Sequence, residues 1–255
     1  MNHNMLFRFG LVLLVLFTQQ EYSVAQGLGG SNTGRVFLLN FGYGPQMPIG
    51  DLEERFGTNF AAEISADYMT ANNWTIGVQG QFLFGSTVNE DVLAGLRTSA
   101  GDIIGNDREP ADLQLRMRGS YYGLRVGRLF GLSEANNRSG IRINLGAGLL
   151  QHRIRIQDDP FRVVPQVEGE YEKGYDRLTN GLALHQFIGF QTIGKNNGVN
   201  ITLGFEFFEG FTQNRRAFNF DTRTADTEQR LDILAGLRFS FSLPFYQGNA
   251  EDIFY

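Results

Sequence analysis

Near the C-terminal end of the chain, every second residue from Leu231 to Leu243 is apolar, and the residues between them are mostly polar or small. Side chains two positions apart share one face of a β-strand. This segment therefore predicts a strand with one apolar face and one largely polar face. Such a strand fits either a soluble β-sandwich or a barrel in a membrane, and the rest of the chain has to decide between them.

The N-terminus has the pattern of an export signal at residues 1–25. Arg8 supplies the positive charge, Leu11 to Phe17 is an unbroken apolar run, and Ser23-Val24-Ala25 offers small residues for cleavage before Gln26. The apolar run is far shorter than the roughly 20 residues of a membrane-spanning helix. We expect residues 26–34 to form a short periplasmic segment, and any membrane crossing to use strands.

Eight stretches alternate with a period of two, too regularly for helices. They are residues 35–43, 60–69, 74–84, 113–130, 141–156, 178–192, 200–208 and 231–243. The connections after the second, fourth and sixth stretches are short, and the others are longer and more charged. This pattern predicts an all-β fold: an eight-stranded antiparallel transmembrane β-barrel over residues 35–245, with short periplasmic turns and long extracellular loops.

An even number of strands places both termini in the periplasm of a cell outer membrane, with residues 246–255 as a periplasmic tail. The alternative is a soluble lipocalin-like barrel or sandwich, whose apolar face would lie inside. That alternative would leave charged strand residues such as Glu63, Asp67 and Arg142 on the outer surface.

Two strands are expected to change phase. In the fourth, the apolar residues before Gly119 stand at odd-numbered positions and alternate with Arg116 and Arg118. From Tyr122 onward, most of the apolar residues stand at even-numbered positions instead. A β-bulge near Gly119 would produce that slip. In the fifth, Gln151 to Ile156 changes phase too, and we expect this segment to project beyond the lipid.

Charged residues recur on the predicted inner face. An eight-stranded barrel is just wide enough for side chains to fill it, and buried charges must be paired. The sequence therefore predicts an ion-pair plug, the alternative being an ion gate whose pairs exchange partners. The predicted lumen set is Glu63, Asp67, Arg116, Arg118, Arg125, Arg142, Glu206, Asp232 and Arg238.

Support for catalysis is thin. The mature chain keeps His152 and His185, and neither stands in a His-x-Ser pair with a nucleophile. His152 with Asp158 and Asp159 would form an acid–base group near the outer rim. The acidic loop residues lack the regular spacing of a calcium site, and there is no cysteine. We expect no catalytic residue, no metal site and no cofactor.

The long loops have patterns of local structure. Asp51 is placed to cap a short helical turn that ends at Gly57, and Asn89 to cap a second turn that ends at Leu96. The third loop is apolar enough either to pack against the other loops or to contact a protein partner. Its candidate contact residues are Phe161, Val163, Val164, Tyr171 and Tyr175.

The last strand carries Gly236, Phe239 and Phe241 in a pattern that resembles the signal read by the barrel-assembly machinery. Other strings resemble a poorly characterised outer-membrane barrel family of Bacteroidota. They are residues 50–57, 151–156, 173–181 and 210–216. In architecture the chain is similar to the small OmpA/OmpX-like barrels, and we expect no peptidoglycan-binding domain of the kind that follows the barrel in OmpA. The resemblance implies lineage and fold, and it does not imply attachment to the cell wall.

These patterns predict a non-enzymatic accessory or structural subunit of a larger outer-membrane assembly, such as protein insertion or secretion machinery. The expected partners are outer-membrane lipid and lipopolysaccharide, the barrel-assembly machinery and other outer-membrane proteins. With a net charge of −5 and no basic patch, nucleic acid is not an expected partner. The alternatives are a stand-alone adhesin or narrow ion channel, and a lipid-modifying enzyme.

Overall fold

A computed structural model describes residues 34–134, 136–194 and 199–246. The predicted signal peptide, residues 26–33 of the N-terminal segment, most of the third short turn and residues 247–255 of the tail lie outside the described residues. The expectations for these segments therefore remain predictions.

Eight long strands form one closed antiparallel barrel. They are β1 (Val36–Gly50), β2 (Asn59–Met69), β3 (Trp74–Gly85), β6 (Gln114–Gly131), β7 (Ser139–Gln157), β8 (Thr179–Ile193), β9 (Asn200–Asn214) and β10 (Gln229–Tyr246). A small hairpin of β4 (Ile103–Ile104) and β5 (Pro110–Ala111) lies in the loop between β3 and β6. The barrel closes where β1 pairs with β10, from Val36 opposite Tyr246 to Gly50 opposite Asp232. The predicted fold class is confirmed.

The outer wall of the barrel is apolar over a continuous band. Exposed Phe, Leu, Ile and Val side chains project outward from all eight strands. A soluble barrel would bury these side chains, so the surface fits hydrocarbon and the soluble alternative is wrong. Among the described residues, no helix is long and apolar enough to cross a membrane.

The barrel strands reach beyond this band at one end. β1 continues to Gly50 and β9 to Asn214, further than the sequence pattern indicated. The connections at this end, residues 51–58, 86–113, 158–178 and 215–228, are long and partly structured. We call it the long-loop end, and the opposite one the short-turn end.

The expected phase changes are wrong. β6 pairs with β3 and with β7 in one uninterrupted register, and the structure has no bulge at Gly119. Met117 is buried inside the barrel and Tyr121 follows it on the same face, while Tyr122 points outward. Odd-numbered residues therefore face inward along the whole of β6, and even-numbered residues face outward. The apolar residues change sides because β6 and β7 leave the lipid, so that water replaces hydrocarbon outside.

The barrel interior has three layers. At the short-turn end, a small apolar cluster closes the lumen; its members are Val36, Leu38, Met69, Leu129 and Ile193. Charged and polar side chains fill the middle. At the long-loop end, a larger apolar core joins barrel residues such as Met117 and Leu150 to loop residues such as Phe56 and Leu93. The loops thus close the barrel like a packed domain.

The loop helices begin differently from expectation. A helix, α1 (Asp51–Arg55), does follow β1, but the Asp51 carboxylate accepts a hydrogen bond from the Leu231 backbone N–H at 2.7 Å instead of capping it. Asn89 donates to the Glu53 carbonyl at 2.8 Å and caps nothing, and its segment forms just a 3₁₀ turn at Ala94–Leu96. Asp51 joins its loop to β10 and Asn89 joins two loop segments, because these tertiary contacts outcompete the local cap.

Candidate functional site: a charged lumen beneath a loop cap

Six side chains form one chain of alternating charge across the lumen. In order, they are Arg142, Asp67, Arg125, Glu63, Arg238 and Glu206. Asp67 Oδ2 lies 2.7 Å from both Arg142 Nη2 and Arg125 Nη2, and Arg125 Nη1 lies 2.9 Å from Glu63 Oε1. Three positive and three negative groups compensate each other, as buried charges require.

Neutral amides complete the two ends of this ion-pair chain. At one end, Glu206 accepts hydrogen bonds from Gln46 at 2.7 Å and from Gln81 at 3.2 Å. At the other, Arg142 donates to Asn144 at 3.0 Å and to Gln191 at 2.6 Å. These amides make the hydrogen bonds that the Glu206 carboxylate and the Arg142 guanidinium can form beyond their ion pairs. None of these amides was in the predicted lumen set.

The space left in the lumen is small. A cavity of about 20 Å³, bordered by Arg125, His185 and Glu206, lies beside the ion-pair chain. That volume holds about one water molecule. Among the described residues, apolar clusters lie above and below this cavity.

Asp232 belongs to a second polar group nearer the long-loop end. Its Oδ2 lies 2.7 Å from His152 Nε2 and also accepts a hydrogen bond from Thr212. The Phe56 ring meets the His152 ring edge to face at 5.6 Å. The expected group of His152 with Asp158 and Asp159 at the rim is wrong, since His152 is buried inside the barrel wall.

His185 lies deeper, against the ring of Phe208 and near that of Tyr121, and its Nε2 is 3.7 Å from Glu206 Oε2. Both histidines are almost completely buried. Neither offers an exposed acid–base group to a substrate. Among the described residues, no three His, Asp or Glu side chains lie close enough to hold a metal ion.

The prediction that Arg116 and Arg118 face the lumen is wrong. Met117 between them is buried inside, and both arginines lie on the outer wall above the apolar band. The error arose from assigning every apolar side chain to the outside. Beyond the lipid the assignment reverses, because apolar residues there pack against the loops.

Ion pairs hold the loops together. Glu90 accepts hydrogen bonds from Arg55 Nε at 3.0 Å and Arg177 Nε at 2.8 Å, and Arg177 also pairs with Asp221. Burial opposes the charge on Arg177, but its bonds to Asp221 and Glu90 outweigh burial and raise the pKa of the guanidinium. These four residues come from four different loops or loop ends, so the cap is cross-linked as one unit.

The candidate contact residues of the third loop divide into two groups. Val164 and Tyr175 are buried in the loop core. Phe161 is 88% exposed, Tyr171 61% and Val163 42%. The loop therefore contains both internal packing residues and apolar side chains that face solvent.

The residues of the predicted assembly signal lie in the middle of β10. Phe239 and Phe241 project outward into the apolar band. Gly236 points inward, where an added Cβ would lie 2.7 Å from the Pro45 carbonyl oxygen of the neighbouring strand. Packing alone accounts for the glycine, and recognition by the assembly machinery stays a prediction.

A polar pair that sequence reasoning missed lies on the lipid-facing wall. Gln186 on β8 projects outward and donates to Glu209 on β9 at 3.3 Å. Their outward neighbours Leu184, Phe207 and Phe211 are exposed apolar residues. In the sequence, Gln186 is a polar residue at a position where the alternation predicts an apolar one, and Glu209 is another on β9. These two interruptions were the signal that could have identified the pair.

No family model matches the sequence, and no curated protein does either. Among solved structures, the chain is similar to the neisserial surface protein NspA, at 12% identity over 83% of this chain and 99% of that one, with a TM-score of 0.43. Ail, the attachment invasion locus protein of Yersinia pestis, is 8% identical over 84% of this chain and 99% of Ail, with a TM-score of 0.41. The N-terminal barrel of Pseudomonas aeruginosa OprF is 12% identical over 83% of this chain and 98% of the OprF barrel, with a TM-score of 0.35. The fold itself rests on the strand pairing, which closes eight antiparallel strands into a barrel with an apolar outer wall.

Proposed function

We propose that this protein is a non-enzymatic accessory subunit of a larger outer-membrane assembly, oriented with its long loops at the cell surface and both termini in the periplasm. The observation that carries the proposal is the set of exposed apolar side chains on a cross-linked cap: Phe161, Val163 and Tyr171. Large exposed apolar side chains at a fixed position are typical of protein contact sites.

The rigidity of the cap strengthens this interpretation. The Asn106 backbone N–H donates to the Val163 carbonyl at 2.9 Å, and Arg162 Nε lies 3.3 Å from Asp107 Oδ2. The segment that carries Phe161 is therefore attached to the β4–β5 hairpin. A pre-ordered surface loses little conformational entropy when a partner binds.

The filled lumen argues against a transport role. Charges are paired along the whole ion-pair chain, and the cavity bordered by Arg125, His185 and Glu206 has room for about one water molecule. Steady conduction would require several of these pairs to separate at once, with uncompensated charge left in the lumen. A protein that holds its interior closed in this way is better suited to contacts on its surface.

The lipid-facing pair of Gln186 and Glu209 supports a partner within the membrane. Polar groups are costly in hydrocarbon unless another group satisfies them. Gln186 provides Glu209 with a single amide contact. A neighbouring outer-membrane protein with a donor at this height would satisfy the remaining carboxylate oxygen.

Co-purification from native membranes tests the role. Tagged protein extracted in a mild detergent should bring stoichiometric partners, and the double substitution Phe161→Ser/Tyr171→Ser should reduce their yield at least fivefold. Leu132→Ser is the matched control, since Leu132 is equally exposed at the short-turn end. Migration of the wild-type protein as a lone species would contradict the proposal and favour a stand-alone surface protein.

Cysteine labelling tests the orientation separately. The chain contains no cysteine, so a single introduced thiol is unique. In intact cells, a membrane-impermeant maleimide should label Thr222→Cys in a long loop and leave Asn72→Cys in a short turn unlabelled until the outer membrane is permeabilised. The reverse pattern would overturn the proposed orientation and leave the test for partners unaffected.

A further inference from the structure

Four arginines lie together on the outer wall, just above the apolar band. Arg116 on β6 is directly opposite Arg155 on β7, and Arg118 is opposite Arg153. All four point outward, because the residues that alternate with them, such as Met117 and Ile154, are buried inside. We call this group the arginine cluster.

The cluster has little compensating charge. Among the described residues, the one carboxylate within 4.0 Å of any of the four is Asp176, whose Oδ2 lies 3.8 Å from Arg153 Nη1 and is paired more closely with Arg216. Arg118 donates to the Met117 carbonyl at 2.7 Å, and Arg116 donates to the neutral Gln114 side chain.

Facing like charges on paired strands destabilise a sheet. Partial burial, together with the nearby Arg155 and Arg116, lowers the pKa of the Arg118 guanidinium. Such a cluster is stable in this position when an anion lies between its members. Guanidinium groups are well suited to phosphate, which they bind through two parallel N–H donors.

A shallow apolar groove lies on the wall directly below the cluster. Tyr122, Leu124, Ala147, Leu149 and Leu182 line it, with Gly80 on the neighbouring strand. Tyr122 and Leu149 are each four positions from an arginine of the cluster on the same strand. Phosphate-binding groups above an apolar groove match the chemistry of a phosphorylated lipid, with its headgroup at the interface and a chain in the hydrocarbon.

We infer that the outer wall of β6 and β7 is a binding site for a phosphorylated glycolipid of the outer leaflet. The arginine cluster holds a phosphate and the groove below it holds an acyl chain. The inference rests on the proposed orientation, because the outer leaflet must lie at the long-loop end. It does not depend on the accessory role or on any protein partner.

Binding of bisphosphorylated lipid A to purified protein in detergent, measured by native mass spectrometry and by fluorescence titration, tests the site. Arg118→Gln/Arg155→Gln should weaken lipid A binding at least tenfold, and added salt should weaken wild-type binding. Arg108→Gln/Arg223→Gln removes the same charge from exposed loop positions and should leave binding unchanged. Heat-modifiable migration on gels checks that each variant is folded.

Two further measurements separate the parts of the site. Gly80→Phe should fill the groove and weaken lipid A binding, while binding of the soluble anion inositol hexakisphosphate stays unchanged. Dephosphorylated lipid A should bind at least tenfold more weakly than lipid A. Unchanged lipid A binding by Arg118→Gln/Arg155→Gln, or equal binding of the dephosphorylated lipid, would overturn the inference. So would a soluble anion that binds as tightly as lipid A.

Discussion

The lower and upper parts of β6 and β7 share one register and have opposite chemistry. Within the apolar band, Arg125 and Arg142 point inward while Leu124 and Ile143 point outward. Above the band, Met117 and Ile154 point inward while Arg116 and Arg155 point outward. The backbone determines which side a residue faces, and the surroundings on that side determine which residue is stable there. On these two strands, Arg125 and Arg142 lie behind the apolar band, whereas Met117 and Ile154 pack into the apolar core behind the outward arginines.

The strongest test of this difference exchanges an apolar and a charged residue at two adjacent positions in the upper part of β6. Met117→Arg places a charge in the apolar core of the long-loop end and should cost several kcal/mol, enough to prevent folding in most preparations. Arg118→Met, one residue along, should change the free energy of unfolding by less than about 0.5 kcal/mol. The folded fraction on gels measures both, and the opposite ranking would mean that the strand changes phase after all.

In the lower part, loss of one member of the ion-pair chain leaves its partners uncompensated. Arg125→Leu strips Glu63 and Asp67 of a shared guanidinium and should destabilise the barrel by about 3–5 kcal/mol. Trp74, the single tryptophan, reports unfolding by urea in detergent.

The control on the same strand is Arg128→Gln. Arg128 lies outside the barrel, 5.1 Å from the centre of the Trp74 ring and 5.3 Å from that of Phe130. Its loss should cost no more than about 1 kcal/mol. Equal effects of the two substitutions would contradict the pairing of the interior charges.

The smallest effect is expected in the loop cap and depends on pH. Burial opposes ionisation of Asp226, but hydrogen bonds from Arg230 and Asn214 outweigh it and lower the pKa of the carboxyl. A lowered pKa gives stability that is complete above the unfolded-state value, near pH 4, and is lost as the pH falls through the folded-state value. Asp226→Asn should therefore lose about 0.2–1 kcal/mol at pH 7, and progressively less at an acid pH that approaches and passes the folded-state pKa. Urea titrations at the two pH values measure the difference, and a loss that persists in acid would contradict a role for the ionised carboxyl.

Period-two alternation was sufficient to predict the barrel and the inward direction of the six residues in the ion-pair chain. All six lie within the apolar band, where an apolar residue can be taken to face lipid. The same assumption failed at Arg116 and Arg118, because the sequence does not mark where the lipid ends. Partner choice was also beyond prediction, since Asp67 on β2 meets arginines from β6 and β7 that are far away in sequence.

The ion-pair chain has a consequence for how the protein reaches its membrane. Glu63 comes from β2, whereas Arg238 comes from β10, the last strand of the described barrel in chain order. A sheet that lacked β10 would carry the Glu206 carboxylate into hydrocarbon without its Arg238 partner, and it would leave Glu63 with Arg125 alone. Stepwise entry of single strands is therefore disfavoured, and insertion should proceed as one event in which the first and last hairpins arrive together.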